Sequence, residues 1–236
     1  MRTRVRFFCL CLPLLAAVSS VKAEPVRIGV AANFVSTLEN LLNSQPSFPT
    51  QVSISVAATG ALATQIQLGA PFDIFLGADE SRPMYVFSAQ PGHDKPLCYA
   101  QGKLMLLGAK TLDELAGTGR LAVANPDIAP YGRAAMEILS RYPVNSMKVI
   151  KGASALQAYQ FYASGNVDYA LVPASLAEES GLLIPSDWHR PIAQFGMALA
   201  KFGEVRQEAR AFMNWLLSEP VQEHLADMGY EPCQND

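Results

Sequence analysis

Four short stretches repeat one chemical arrangement: Ala32-Asn33, Ala58-Thr59-Gly60, Pro130-Tyr131-Gly132 and Ser154-Ala155. Each follows an apolar run with strand character and precedes a run with helical spacing. The first N–H groups of a helix have no intrahelical partner and lie at the positive end of the helix dipole. A turn of small residues at that point therefore offers donors to an anion. Asn33, Thr59 and Ser154 add carboxamide and hydroxyl donors, and none of the four turns places an Asp or Glu at the contact position. A fully ionised tetrahedral oxyanion has acceptors only, so a set of neutral donors is what its site requires. Taken singly, each turn is also an ordinary helix cap. Asp127 and Arg133 lie near the third turn and are expected to be solvated.

Other chemistries find less support. His93-Asp94 suggests a metal or phosphohydrolase site, but the three histidines, His93, His189 and His224, are scattered and favour a solvated loop. Cys98 has no identifiable His partner for nucleophilic work. No G-x-G-x-x-G follows the first strand and there is no Walker loop. Ser175 lies in no G-x-S-x-G elbow.

The elements that must hold these turns alternate along the chain. Strands are expected at 26–31, 52–56, 72–76, 120–124, 147–150 and 169–172, and a long interrupted strand spans 97–107. A further long strand is expected at 191–199. Helices are expected at 34–42, 61–68, 82–88, 111–115, 133–141, 155–163, 205–217 and 220–228, with a short one at 175–180. Phe212, Trp215 and Leu216 give the 205–217 helix a core-facing stripe. The β-α-β-α order favours parallel sheets covered by helices. Two long strands bracketing the middle third suit two lobes joined by two crossings, with a single Rossmann-type domain as the competing arrangement. In open α/β sheets ligands bind at the carboxyl ends of strands, which is where all four turns fall.

Residues 1–23 combine a basic start, an apolar core at 7–18 and a small-x-small ending, Val21-x-Ala23, and so read as a secretory signal cleaved near Ala23. Its loss removes Arg2, Arg4, Arg6 and Lys22 and takes the formal net charge from −3 to −7. An acidic chain without a basic patch is a poor nucleic-acid binder. The remaining length of roughly 210 residues suits one large or two small α/β domains. Cys9 and Cys11 leave with the signal. Cys98 and Cys233 remain, and an oxidising compartment favours one bridge between the tail and the body, with two free thiols as the alternative.

Five segments, GVAANF (29–34), ATGALATQIQLGAPFDIFLGAD (58–79), YAQGKLML (99–106), LAVANPDIAPYGRAA (121–135) and ASALQAYQFYASGNVDYALV (153–172), together resemble the periplasmic molybdate-binding proteins of ABC importers. The resemblance covers nearly all of the chain after residue 23, in order. It implies a type II periplasmic-binding-protein fold: two lobes, each a mostly parallel sheet flanked by helices, joined by two crossing strands. Lobe one would comprise 24–100 and 194–236, and lobe two 101–193. It also implies a dehydrated molybdate or tungstate as ligand, no cofactor, a membrane permease as partner, a periplasmic location and a monomer. Residue by residue, Asn33 would give side-chain and backbone donors with Ala32 beside it. Thr59 stands where relatives carry Ser. Tyr131 and Ala155 would act through backbone N–H, with Ala58, Gly60 and Ser154 as flanking candidates. Ser154 falls where many relatives have Asn. Pro173 falls near a position where some have a contacting Tyr, so that contact is expected to be missing. A receptor for sulfate or another small anion, or a small α/β hydrolase or transferase, stays open as an alternative.

Overall fold

A computed structural model describes residues 24–44, 48, 51–142, 146–177 and 181–233. The signal-like segment 1–23 and the end of the expected 175–180 helix lie outside the described residues. Two five-stranded sheets organise the rest.

The first sheet contains β1 (Val26–Ala31), β2 (Val52–Ala57), β3 (Ile74–Leu76), β4 (Leu97–Gly102) and, much later in the chain, β10 (Ile192–Ala198). The second contains β5 (Leu104–Leu107), β6 (Gly119–Ala124), β7 (Met147–Gly152), β8 (Tyr169–Pro173) and β9 (Leu182–Leu183). Their orders are β2-β1-β3-β10-β4 and β7-β6-β8-β5-β9. In each sheet three strands run parallel, and the strands at or near the crossings pair antiparallel. A two-stranded ribbon of β11 (Ala200–Lys201) and β12 (Glu204–Val205) extends from β10.

Helices cover both faces of each sheet, so the inner parallel strands β3 and β8 are apolar and buried along nearly their whole length, whereas the edge strands β2 and β7 keep exposed polar positions. On one face of the first sheet, Phe34, Leu38 and Leu41 from α1 (Val35–Ser44) and the turn before it meet Phe212 and Leu216 of α6 (Gln207–Leu216). Val221 and Leu225 of α7 (Glu219–Asp227) join the same cluster. On the other face, Leu62 and Ile66 of α2 (Thr59–Gln67) pack with Val86 of α3 (Ser81–Ala89), Phe72 and Phe75. The second sheet is sandwiched by α4 (Pro130–Leu139), through Ala134, Ala135 and Ile138, and α5 (Ala155–Ala163), through Ala158. Among the described residues no helix is long and apolar enough to cross a membrane.

The expected strand at 97–107 is in fact two, β4 and β5, which belong to different sheets. Two sheets replace the single Rossmann-type alternative. The helix expected at 111–115 is a 3-10 turn, Leu112–Ala116, opened by a Thr111–Glu114 capping box. That expected from 175 is a 3-10 turn, Ala174–Leu176, within the described residues. Cys98 of β4 and Cys233 form a disulfide across 135 positions. Beside it the tail pairs with β4, Gln101 N–H to Glu231 O at 2.8 Å and Glu231 N–H to Gln101 O at 2.9 Å.

Candidate functional site

Each of the four turns owes its shape to local rules. After β1, the Phe34 N–H closes onto Ala31 O at 2.9 Å, and the Ala32 N–H is spent on Ala57 O at 3.0 Å, which ties the first turn to the second. Asn33 is buried; its Nδ2 donates to Gln194 Oε1 at 2.9 Å. After β2, Ala58 is the extended N-cap (φ −67°, ψ 147°) and α2 begins at Thr59, two residues earlier than helical spacing predicts. Thr59 is thus the first helical residue, not the cap. Its Oγ1 accepts the Ala78 N–H at 3.0 Å, which leaves the hydroxyl proton for another acceptor.

The third turn brings α4 in at Pro130, where a missing N–H costs nothing. Gly132 has to be glycine here, since a Cβ would sit 2.3 Å from Ala124 O at the end of β6. At the fourth turn Ser154 caps α5: its Oγ accepts the Gln157 N–H at 3.1 Å, and Gln157 Oε1 accepts the Ala153 N–H at 2.6 Å. This resembles a capping box, except that the return bond from Gln157 goes to Ala153, one residue before the cap.

The fold brings the four turns together. Ala58 from lobe one and Ala124, Ala129, Ala155 and Leu176 from lobe two form one buried cluster, with Ile128 packed against it. Asn33 and Tyr131 meet through Gln194. Leu156, beside Ala155, packs against the core that contains Phe34. The lobes are closed on one another: the Gly60 N–H donates across the gap to Ile128 O at 3.1 Å, and Ser175 Oγ donates to Asn33 O at 3.3 Å.

Donor availability separates the candidates. Ala32 and Gly60 have bonded N–H groups. By contrast, the N–H groups of Asn33, Thr59, Tyr131 and Ala155 meet no protein acceptor among the described residues, although all four residues are less than a tenth exposed. Buried backbone donors are nearly always paired, so four orphans from two lobes at one place mark a site for an acceptor-rich ligand. The Tyr131 phenol, pushed well above its usual titration range by burial, stays a neutral hydroxyl.

Arg133 is not solvated as expected: it forms an ion pair with Asp79 across the rim of the cleft. Asp127 lies at the same rim, its carbonyl accepting from Arg82 Nη2 at 3.4 Å. A groove of about 470 Å³ there is lined by Asp79, Glu80, Arg133, Glu137 and Arg190 among others. Burial alone would raise the Glu137 carboxyl, but hydrogen bonds and charge from Arg190 win and hold it below its usual range. The groove's arginines are thus neutralised by carboxylates and offer little net charge to an anion. The histidines are dispersed: His189 faces the Arg190 carbonyl, and His224 faces Asn40. Asp94 is taken up by a two-pronged pair with Arg210 at 2.9 Å.

Sequence reasoning passed over Gln194 and Tyr230, and weighed Ser175 only as a nucleophile. The available signal for Gln194 was a lone amide in the apolar run PIAQFGMAL, since a polar residue in a buried strand needs partners.

A family model described as bacterial extracellular solute-binding protein matches residues 15–231. The molybdate-binding protein ModA of Azotobacter vinelandii is 32% identical over 232 residues, covering 89% of this chain and 91% of its own. ModA of Rhodobacter capsulatus is 34% identical over 227 residues, covering 88% of each. The solved periplasmic molybdate-binding protein of Azotobacter vinelandii matches with a TM-score of 0.78 at 27% identity, covering 89% of this chain and 100% of that one. Two lobes closed on a ring of neutral donors and similarity along nearly the whole length lead to one placement: the chain belongs to the bacterial extracellular solute-binding proteins, in the group of the molybdate-binding ModA proteins.

Proposed function

We propose that this protein captures molybdate, or its congener tungstate, between its lobes and delivers it to the membrane permease of an ABC importer. What carries the reading is the set of four unpaired N–H groups, Asn33 and Thr59 from one lobe and Tyr131 and Ala155 from the other, together with the free Thr59 hydroxyl proton. Hydrogen bonds to a charged acceptor contribute about 1.5–3 kcal/mol each. They are stronger still in a dry site, so neutral donors from two walls suffice for a dianion without a touching cation. Ala32, Ala58, Gly60 and Ser154 shape the wall, and selectivity over sulfate follows from cavity size.

The lobes divide at 24–100 with 194–236 and at 101–193, so that closure moves two donor pairs toward each other. Export follows from residues 1–23, with cleavage near Ala23, and the exported form works as a monomer. Its role is capture and release: the similar ModA proteins of Azotobacter vinelandii and Rhodobacter capsulatus are named as molybdate-binding proteins, and among the described residues the donor ring pairs no nucleophile with a base.

A thermal-shift panel of molybdate, tungstate, sulfate, phosphate and citrate tests this, because a ligand that binds only the folded state raises Tm. Large shifts with molybdate and tungstate, and smaller ones with sulfate and phosphate, are expected. A shift with citrate alone would overturn the assignment.

A further inference from the structure

Gln194 is fully buried on β10, the strand that carries the chain back from lobe two to lobe one, at a register shift in its pairing with β4. A primary amide has two donor and two acceptor sites, and three of these are used here, by residues of both lobes. Oε1 accepts from Asn33 Nδ2 at 2.9 Å and from Tyr99 Oη at 3.1 Å, a proton Tyr99 shares with Gly77 O at 3.0 Å, while Nε2 donates to Tyr131 Oη at 3.4 Å. Asn33 and Tyr99 belong to lobe one, and Tyr131 lies in the first turn of α4 in lobe two. The other crossing strand makes room for this arrangement: a Cβ at Gly102 would lie 1.8 Å from Tyr131 Oη and 3.0 Å from Gln194 Nε2.

We propose that Gln194 is the positioning residue of the cleft, coupling closure of the lobes to the orientation of Asn33 and Tyr131 without touching the anion itself. The inference rests on the reading that the N–H groups of Asn33 and Tyr131 serve the ligand. When lobe two swings away, Tyr131 leaves the amide and the three-way bond is broken. When it returns, the amide fixes the side chains on both walls at once and thereby sets the direction of the two N–H groups. The closed population, and with it apparent affinity, then depends on this one carboxamide.

Gln194→Glu supplies a readout that packing alone does not move. A protonated carboxyl reproduces the amide, with one acceptor for Asn33 and Tyr99 and one donor for Tyr131. The ionised carboxylate keeps the acceptor and adds a buried negative charge beside an incoming dianion. Calorimetric titration of the full exported chain with sodium molybdate, between pH 6 and 9, is expected to give a nearly flat wild-type affinity. Q194E should approach the wild-type value at the acid end and weaken by about tenfold or more toward the alkaline end. Gln194→Met, which keeps the volume and loses the bonds, should bind about tenfold more weakly at every pH. Its small-angle scattering without ligand should show a larger radius of gyration.

Tyr131→Phe covers the case in which Q194E does not fold. It removes only the phenol oxygen, leaves the backbone N–H in place, and is expected to weaken molybdate severalfold. Wild-type affinity in Q194M and Y131F, with no pH dependence in Q194E, would overturn the role of Gln194 while leaving the site itself standing. No molybdate binding by the wild-type chain would overturn the site, and this inference with it.

Discussion

Thr59 serves the fold with its oxygen and, in the proposed reading, a ligand with its proton. Its oxygen accepts the Ala78 N–H at 3.0 Å, so its proton points elsewhere. Thr59→Ala should therefore weaken molybdate binding by about 1.5–3 kcal/mol in titration calorimetry, with Thr59→Ser close to wild type. Unchanged affinity in T59A would remove the hydroxyl from the site. Asp73 is a purely structural counterpart. It is 1% exposed, accepts the Arg27 N–H at 2.8 Å, and faces Lys201 Nζ at 2.7 Å and Arg206 Nη1 at 3.3 Å. Asp73 is buried while Lys201 and Arg206 stay about a quarter exposed to water, so Asp73→Ala, which also leaves the Arg27 N–H without its acceptor, should cost about 1–3 kcal/mol in urea unfolding.

His93 adds a pH dependence. Burial lowers its pKa, against a weaker upward pull from Asp94, and its Nδ1 accepts the Ala200 N–H at 2.8 Å. The folded state thus favours the neutral ring. Its contribution is fully present above the unfolded value of about 6.5 and is lost as pH falls from there through the lower folded value. Tm should drop between pH 7 and pH 5.5, and the drop should shrink in His93→Gln.

At the scale of elements, the helix starts matter most. Helical spacing placed α2 and α4 at 61 and 133, but they begin at Thr59 and Pro130. Apolar periodicity marks where a helix packs, whereas its first residues are set by cap geometry and by what lies across the cleft. That difference is what turns Thr59 and Tyr131 into residues with free N–H groups. Long apolar strands were legible because their composition is set by burial on both faces. The ribbon β11–β12 and the two-residue β9 were not, since such short strands take their pairing from tertiary neighbours. The interruption at 101–102 was legible, but not that its two halves, β4 and β5, join different sheets, because that depends on partners far along the chain.

The ribbon turn carries its own prediction. Phe202 has φ 53° and is fully exposed, followed by Gly203 at φ 89°. Left-handed backbone is unfavourable for Phe and well suited to Asn. Phe202→Asn should raise stability by up to about 1 kcal/mol in urea unfolding, and a loss would contradict the turn assignment.

In the whole molecule, closure and the C-terminal tail are connected. The Cys98–Cys233 bridge holds the tail on β4, and the same tail supplies Tyr230. Tyr230 Oη donates to Ser175 Oγ of lobe two at 2.8 Å and lies 3.4 Å from Asn33 O. Loss of a bridge across so long a loop costs about 2–4 kcal/mol. Replacing both cysteines with Ala should lower Tm and also weaken molybdate, because Tyr230 would no longer be held against the Asn33 turn. Unchanged binding would separate the tail from closure.

The central claim is that neutral donors from both lobes, and not the arginines at the rim, hold the anion. Tungstate soaked or co-crystallised with the exported chain locates itself by the anomalous scattering of tungsten. The account predicts one strong peak within hydrogen-bond distance of the N–H groups of Asn33, Thr59, Tyr131 and Ala155. A principal peak in the Arg133–Arg190 groove, with nothing between the four turns, would contradict it.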